Sequence, residues 1–231
     1  RFGDSGTGRA SLEGTWRRLY AGPEGEGQAV HGEGALAARF EWDAFDRHTL
    51  PTRGSLLRLH LEGGRGLGSW EGPSYRRGYL RARTLRPFGP RLGLDLDLEG
   101  GLGRDMGAHQ GWILGGPGFL LGTPALAYQA SAFGVLRVGL PVNLEGPWGS
   151  TLQVGPRFDV ARLADGPGNL GRAPGAALGG AGVLLRAVLF RFTLEASYGW
   201  CRQTLPGAPT RTVGSFNLQL GTRPFDLWRR P

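Results

Sequence analysis

A side-chain alternation of period two returns along most of this chain and constrains it more than any other feature. In "RLGLDLDLEGG", Leu92, Leu94, Leu96 and Leu98 alternate with Gly93, Asp95, Asp97 and Glu99. An extended backbone puts the leucines on one face and the acids on the other. Phe40 and Trp42 likewise oppose Arg39, Glu41 and Asp43, and Leu57, Leu59 and Leu61 oppose Arg58, His60 and Glu62. The pattern repeats with Leu80 and Ala82 against Arg81 and Arg83, and with Leu136, Val138 and Leu140 against Arg137 and Gly139. Leu152, Val154, Phe158 and Val160 oppose Gln153, Gly155, Arg157 and Asp159. Near the end, Phe192, Leu194 and Tyr198 oppose Thr193, Glu195 and Ser197, and Phe216, Leu218 and Leu220 oppose Asn217 and Gln219.

The alternation predicts an all-β chain of about ten strands, near residues 12–21, 35–45, 54–63, 74–86, 90–100, 128–142, 149–163, 180–188, 189–201 and 213–223. The apolar phase is odd through Val183, Leu185, Ala187 and Leu189 and even from Phe190 onward. That switch places a tight turn or bulge near residues 188–190. No window shows helical periodicity with caps, so no helix longer than a turn is expected.

The pattern does not say which face meets water. A soluble sandwich buries the leucines; a membrane barrel turns them to lipid and its acids to a wet lumen. Several expected strands reach ten residues, close to the nine to eleven that cross a bilayer at a tilt. Aromatic residues near strand ends (Trp16, Tyr20, Trp42, Trp70, Trp112, Tyr128, Trp148 and Trp200) suit interfacial girdles. Core aromatics of a soluble domain also sit on strands, so both architectures stay open here. The 43 glycines and 16 prolines are scattered among the alternations, which reads as many turns.

All 27 basic residues are arginine, as codon bias in a GC-rich bacterium produces, and the net charge is +8. The arginines stand singly inside alternating runs, without a basic block, and so do not suit nucleic acid. Lipopolysaccharide phosphates or a polar lumen suit them better. Cys201 is the only cysteine, and the histidines His31, His48, His60 and His109 are too dispersed for a ligand set. No metal or cofactor is expected. No apolar run approaches the length of a transmembrane helix, and the first residues do not read as a signal peptide. The chain begins with Arg1, as a mature product or a piece of a longer protein would.

Between the fifth and sixth expected strands, Gly111 to Val142 is the longest span without clean alternation, with a loop expected over residues 101–127, and such spans are usually functional or disordered. "GWILGGPGFLLGTPALAYQ" resembles the lumen-folded loop of the bacterial surface antigen superfamily, the outer-membrane barrels related to BamA, TamA and the two-partner secretion transporters. That loop has a Gly-Gly pair, three residues, then a hydrophobe, an arginine, a glycine and an aromatic. Gly115 and Gly116 match the pair, Leu120 the hydrophobe and Gly122 the later glycine. Leu121 stands where translocating members carry the arginine, and Thr123 replaces the aromatic. The Leu-x-Gly form looks more like the barrel fused behind patatin-like phospholipases. Asp46, Pro51, Arg53 and Gly54 are similar to the superfamily's turn motif, and Phe158 with Asp159 resembles its strand with a lumenal acid. "SFNLQLGTRPF", through Phe216, Leu218, Leu220 and Phe225, is similar to the closing strand read by the outer-membrane assembly machinery.

The resemblance implies an antiparallel transmembrane β-barrel, the C-terminal portion of one of about sixteen strands, in the outer membrane of a Gram-negative bacterium. Residues 1–11 would be a linker or upstream loop and 226–231 a C-terminal extension, with upstream strands and any periplasmic or patatin domain missing from this chain. Its implied role is non-enzymatic: anchoring and displaying an upstream domain, or assisting insertion or translocation of client polypeptides. The loop would brace against the wall bearing Arg137, Arg157 and Asp159. With Leu121 in place of arginine, Asp159 needs another partner, for which Arg137 and Arg157 are the candidates.

Two further readings remain. One is a passive porin-like channel. The other is a barrel-borne hydrolase: "RFGDSGTG" sets Ser5 in a Gly-Asp-Ser-Gly run, but nothing precedes it to supply a histidine and aspartate, and Thr7 breaks the Gly-x-Ser-x-Gly form. Asp95, Asp97 and Glu99 lie along one strand face without enclosing a site, as a charged lumen wall does.

Overall fold

The computed structural model describes residues 6–21, 29–46, 50–67, 74–106, 110–145, 151–164, 175–189, 192–204, 207 and 209–221. They form an all-β fold with no helix, dominated by one large antiparallel sheet. Its strands are β1 (Thr7–Ala21), β2 (Ala29–Asp43), β3 (Gly54–Leu67), β4 (Tyr75–Phe88), β5 (Leu92–Arg104), β8 (Ala132–Gly139), β9 (Val142–Glu145), β10 (Thr151–Ala164), β11 (Ala177–Leu189), β12 (Phe192–Thr204) and β13 (Arg211–Gly221). The order is β1-β2-β3-β4-β5-β8-β10-β11-β12-β13, so neighbours in sequence are neighbours in the sheet, and β9 pairs with β10 and β5. A separate two-stranded sheet joins β6 (Trp112–Leu114) to β7 (Tyr128–Ala130). Among the described residues β1 pairs only with β2 and β13 only with β12.

The expected strands are present, with shifts in their bounds. β1 begins at Thr7, inside the first eleven residues expected to be a linker. β5 continues to Arg104, so the connection that follows starts later than residue 101. The single strand expected over 128–142 is three: β7 belongs to the small sheet, and β8 and β9 are one ladder interrupted by Leu140 and Pro141. Pro141 faces Gly155 and Pro156 faces Leu140 across the pair, and proline has no N–H for a ladder. The phase switch at 188–190 falls where β11 ends at Leu189, with two residues between it and the start of β12 at Phe192.

Exposure along the strands runs opposite to that of a soluble sandwich. On β5, Leu98 is 50% exposed between Asp97 at 6% and Glu99 at 4%, and on β10 Phe158 is 54% exposed beside Asp159 at 1%. Arg81, Arg137, Arg157 and Glu195 are buried, while Leu59, Leu80, Leu136, Val160, Phe192 and Leu218 are exposed. The buried face curls strongly enough that Arg81 of β4 and Glu195 of β12 line one cavity.

Connections differ between the two ends of the sheet. At one end, β4–β5 and β11–β12 are joined across residues 89–91 and 190–191; at the other, β10–β11 and β5–β8 are joined across 165–176 and 105–131. The β2–β3 turn is closed by Asp46, whose carboxylate accepts the Thr52 amide at 2.9 Å, the Arg53 amide at 3.2 Å and the Thr52 hydroxyl at 2.6 Å. Gly54 follows at φ +122°, where a Cβ would stand 2.3 Å from the Ala44 carbonyl oxygen, so only glycine fits. Pro51 lies within this turn, partly buried beside Leu50. Of the expected girdle, Trp42 and Trp200 lie on the exposed face, but Trp112 and Tyr128 are on the small hairpin, packed against the interior cluster. Trp70, Trp148, Ser5, Phe225 and residues 226–231 lie outside the described residues, as do the side chains of Trp16 and Tyr20.

Candidate functional site

The site is built where the 105–131 connection, after leaving β5, turns back along the buried face of the sheet. β6 and β7 form its stem. Trp112 packs on Tyr79 of β4, ring centroids 6.0 Å apart, and edge-on to Phe133 of β8 at 5.6 Å. The Arg77 guanidinium sits 5.4 Å from the Trp112 ring. Leu114, Phe119 and Leu120 join Phe133, Val135, Ala161, Leu163, Leu178 and Cys201 in one apolar cluster. Burial pushes the Tyr128 phenol up to about 12, and its hydroxyl has no hydrogen-bond partner among the described residues.

Beyond the stem, Gly115 and Gly116 both take positive φ, and the chain tightens into successive turns. The Gly116 amide donates to the Pro124 carbonyl at 2.8 Å, and the amides of Phe119 and Leu120 donate to the Gly116 carbonyl. The Thr123 hydroxyl donates to the Leu120 carbonyl at 2.7 Å, so Thr123 closes the turn internally. Gly122, at φ +78°, lies flat on β12: a Cβ there would stand 2.3 Å from the Trp200 carbonyl carbon and 2.4 Å from the Cys201 nitrogen.

Three bonds from buried charged side chains hold the loop. The Leu121 amide donates to Asp159 Oδ2 at 2.7 Å, Arg157 Nη2 donates to the Pro117 carbonyl at 2.6 Å, and Arg137 Nε donates to the Phe119 carbonyl at 2.9 Å. Hydrogen bonds with one ionised partner are roughly twice as strong as neutral ones. Of the two candidate partners for Asp159, it is Arg157 that pairs, through Nε at 2.8 Å and Nη2 at 2.7 Å. Arg137 turns instead to Asp97, at 3.1 Å, and to Glu99.

The Arg137 contacts continue into a network that the alternation placed on one face but did not pair. Arg81 forms a two-pronged bond with Asp97 at 3.0 and 2.7 Å, and Arg83 forms another with Asp95 at 2.8 and 2.6 Å. Backbone register sets Arg81 opposite Glu99 and Arg83 opposite Asp97, so both ion pairs are diagonal, offset by two residues. Tyr79 donates to Glu99, Arg186 pairs with Glu195 at 2.8 Å, and Glu62 takes bonds from Tyr75 and Arg77. The space left at the centre, bounded by Arg81, Arg83, Asp95, Arg157, Arg186 and Gly118, is about 40 Å³, enough for a few water molecules.

Phe216, Leu218 and Leu220 lie exposed on β13, away from this network. No group of His, Cys, Asp and Glu side chains arranged to hold a metal occurs among the described residues. The arrangement holds a loop by charge, and its acids are occupied by arginines, a tyrosine hydroxyl or a main-chain amide. No protein-family model matches the chain, and no curated protein matches it.

Proposed function

We propose that this chain is a membrane-spanning wall of an outer-membrane β-barrel whose lumen is plugged by residues 105–131, and that it serves as an anchor for an attached domain. The observation that carries this reading is the inverted exposure: leucine, valine and phenylalanine outside, arginine and carboxylate inside. Water-soluble monomers rarely leave contiguous apolar patches above a few hundred Å² uncovered. Apart from the interrupted β8 and β9, the strands of the large sheet are 11 to 15 residues long, enough for a tilted bilayer crossing. The two shortest connections, 89–91 and 190–191, lie at one end and the two longest, 105–131 and 165–176, at the other, in the sense of the periplasmic and outer ends of such barrels.

Anchoring is favoured over translocation of client polypeptides by how the loop is held. Asp159 is met by a main-chain amide, and the wall arginines grip carbonyls, so the plug is fixed by its backbone together with apolar packing. The same filling disfavours a passive channel, since among the described residues the space left between the paired charges is about 40 Å³. Supply of lipid-embedded wall and upstream domain would come through the outer-membrane assembly machinery, with outer-membrane lipid and lipopolysaccharide as surroundings.

The test is insertion. The purified chain, refolded with vesicles, is expected to show quenching of Trp42 and Trp200 fluorescence by lipids brominated on their acyl chains. A chain that stays monomeric in detergent-free buffer, with no quenching, removes the membrane reading and the roles built on it.

A further inference from the structure

On the exposed face, near the long-connection end, β1 to β5 leave a hollow of about 600 Å³. Its walls are Leu12, Leu36, Leu61 and Leu102, its floor is opened by Gly63 and Gly78, and Glu62, whose carboxylate is neutralised by Arg77 at 2.8 Å, also borders it. Arg76 and Arg104 form its rim on the side of the long connections.

These two arginines are direct register partners on the exposed face of β4 and β5. Side chains so placed have Cβ atoms about 5 Å apart, and like charges there repel. Arg104 has one weak exposed contact, with Asp105 at 3.5 Å, and Arg76 has no partner among the described residues. Arg65, Arg162 and Arg202 also face outward near this end of their strands, whereas Arg86 faces outward at the other. An anion between Arg76 and Arg104 would turn their repulsion into a two-armed grip, and the apolar hollow below fits a hydrocarbon chain.

We propose that this hollow and arginine pair bind one lipid A molecule of lipopolysaccharide, an acyl chain lying between Leu36, Leu61 and Leu102 and a phosphate held by Arg76 and Arg104. The proposal rests on the membrane reading above, which puts the long-connection end in the outer leaflet. It adds a specific headgroup, a specific site and a cause for the asymmetric placement of outward arginines.

The experiment is native mass spectrometry of the full chain folded in detergent micelles and titrated with lipid A. One lipid A per chain is expected. Arg76→Gln with Arg104→Gln should lower its retention at least tenfold, and Gly78→Leu, which fills the floor and keeps both arginines, should lower it too. Arg162→Gln with Arg202→Gln should stay within twofold of the parent. Far-UV circular dichroism of each variant checks the β content. Equal losses in both arginine pairs, no retained lipid A, or equal retention of phosphatidylglycerol would overturn the site. Fluorescence quenching in phosphatidylcholine vesicles separates the two readings: a chain that inserts but ignores Arg76 and Arg104 overturns only the site, and one that does not insert overturns both.

Discussion

Asp159 is the residue on which the loop's attachment converges, because its carboxylate bonds the Leu121 amide and the Arg157 guanidinium with almost no exposure. Asp159→Asn removes the charge and leaves the buried Arg157 guanidinium with neutral acceptors only. Breaking a buried pair by removing one partner costs about 3–5 kcal/mol. The variant is expected to lose stability on that order in a reversible urea titration, and Asp159→Asn with Arg157→Gln should recover part of it. Additive losses in the double variant would show that the two side chains act independently. Gly122 makes a different kind of demand, since both atoms that a Cβ would strike are backbone atoms of β12. Gly122→Ala should therefore lift the loop from β12 without touching a charge. Limited proteolysis is the check: cleavage within 115–123 should rise at least several-fold over the parent, and unchanged protection would mean that β12 yields instead.

At the scale of elements, the loop is the part whose removal should change what the molecule lets through. Replacing residues 116–123 by a short Gly-Ser linker deletes the Phe119 and Leu120 packing and the three bonds from Asp159, Arg157 and Arg137. In planar bilayers the parent should show little conductance and the deletion variant should show steps of increased current. Equal currents from both would mean that the loop is no plug. The strands themselves were legible in the alternation because each has one apolar and one charged or small face, and a one-residue slip would reverse them. Asp46 and Gly54 were legible as a turn only through the motif they resemble, whose local cause is the Asp46 carboxylate bonded to the Thr52 amide and the positive φ of Gly54. The break at Pro141 was not legible, since alternation continues through it on paper; nor was the separate hairpin of Trp112 and Tyr128, whose first strand lies in the span without clean alternation and whose pairing is chosen by tertiary packing. The ion pairs were half legible. Arg81, Arg83, Asp95 and Asp97 could be put on one face, but the diagonal offset depends on strand twist, which no local pattern encodes.

For the whole molecule, the deciding quantity is where charge is tolerated. In water, an arginine on the exposed face of β5 or β8 should cost almost nothing, because the side chain is already solvated there. In a bilayer the same change near the midplane costs about 2–4 kcal/mol and falls to about 0–1 kcal/mol near the interface. Leu98 sits at the middle of β5 and faces Leu136 across the ladder, both exposed, whereas Thr204 ends β12 on the same face. Leu98→Arg and Leu136→Arg should each shift the urea midpoint of vesicle-inserted protein by the larger amount, and Thr204→Arg by the smaller. A substitution that only disturbed strand packing would not follow this gradient with depth. Flat, near-zero effects at all three positions are the signature of a face that meets water, and they would return the charged interior to the status of an unusual soluble core.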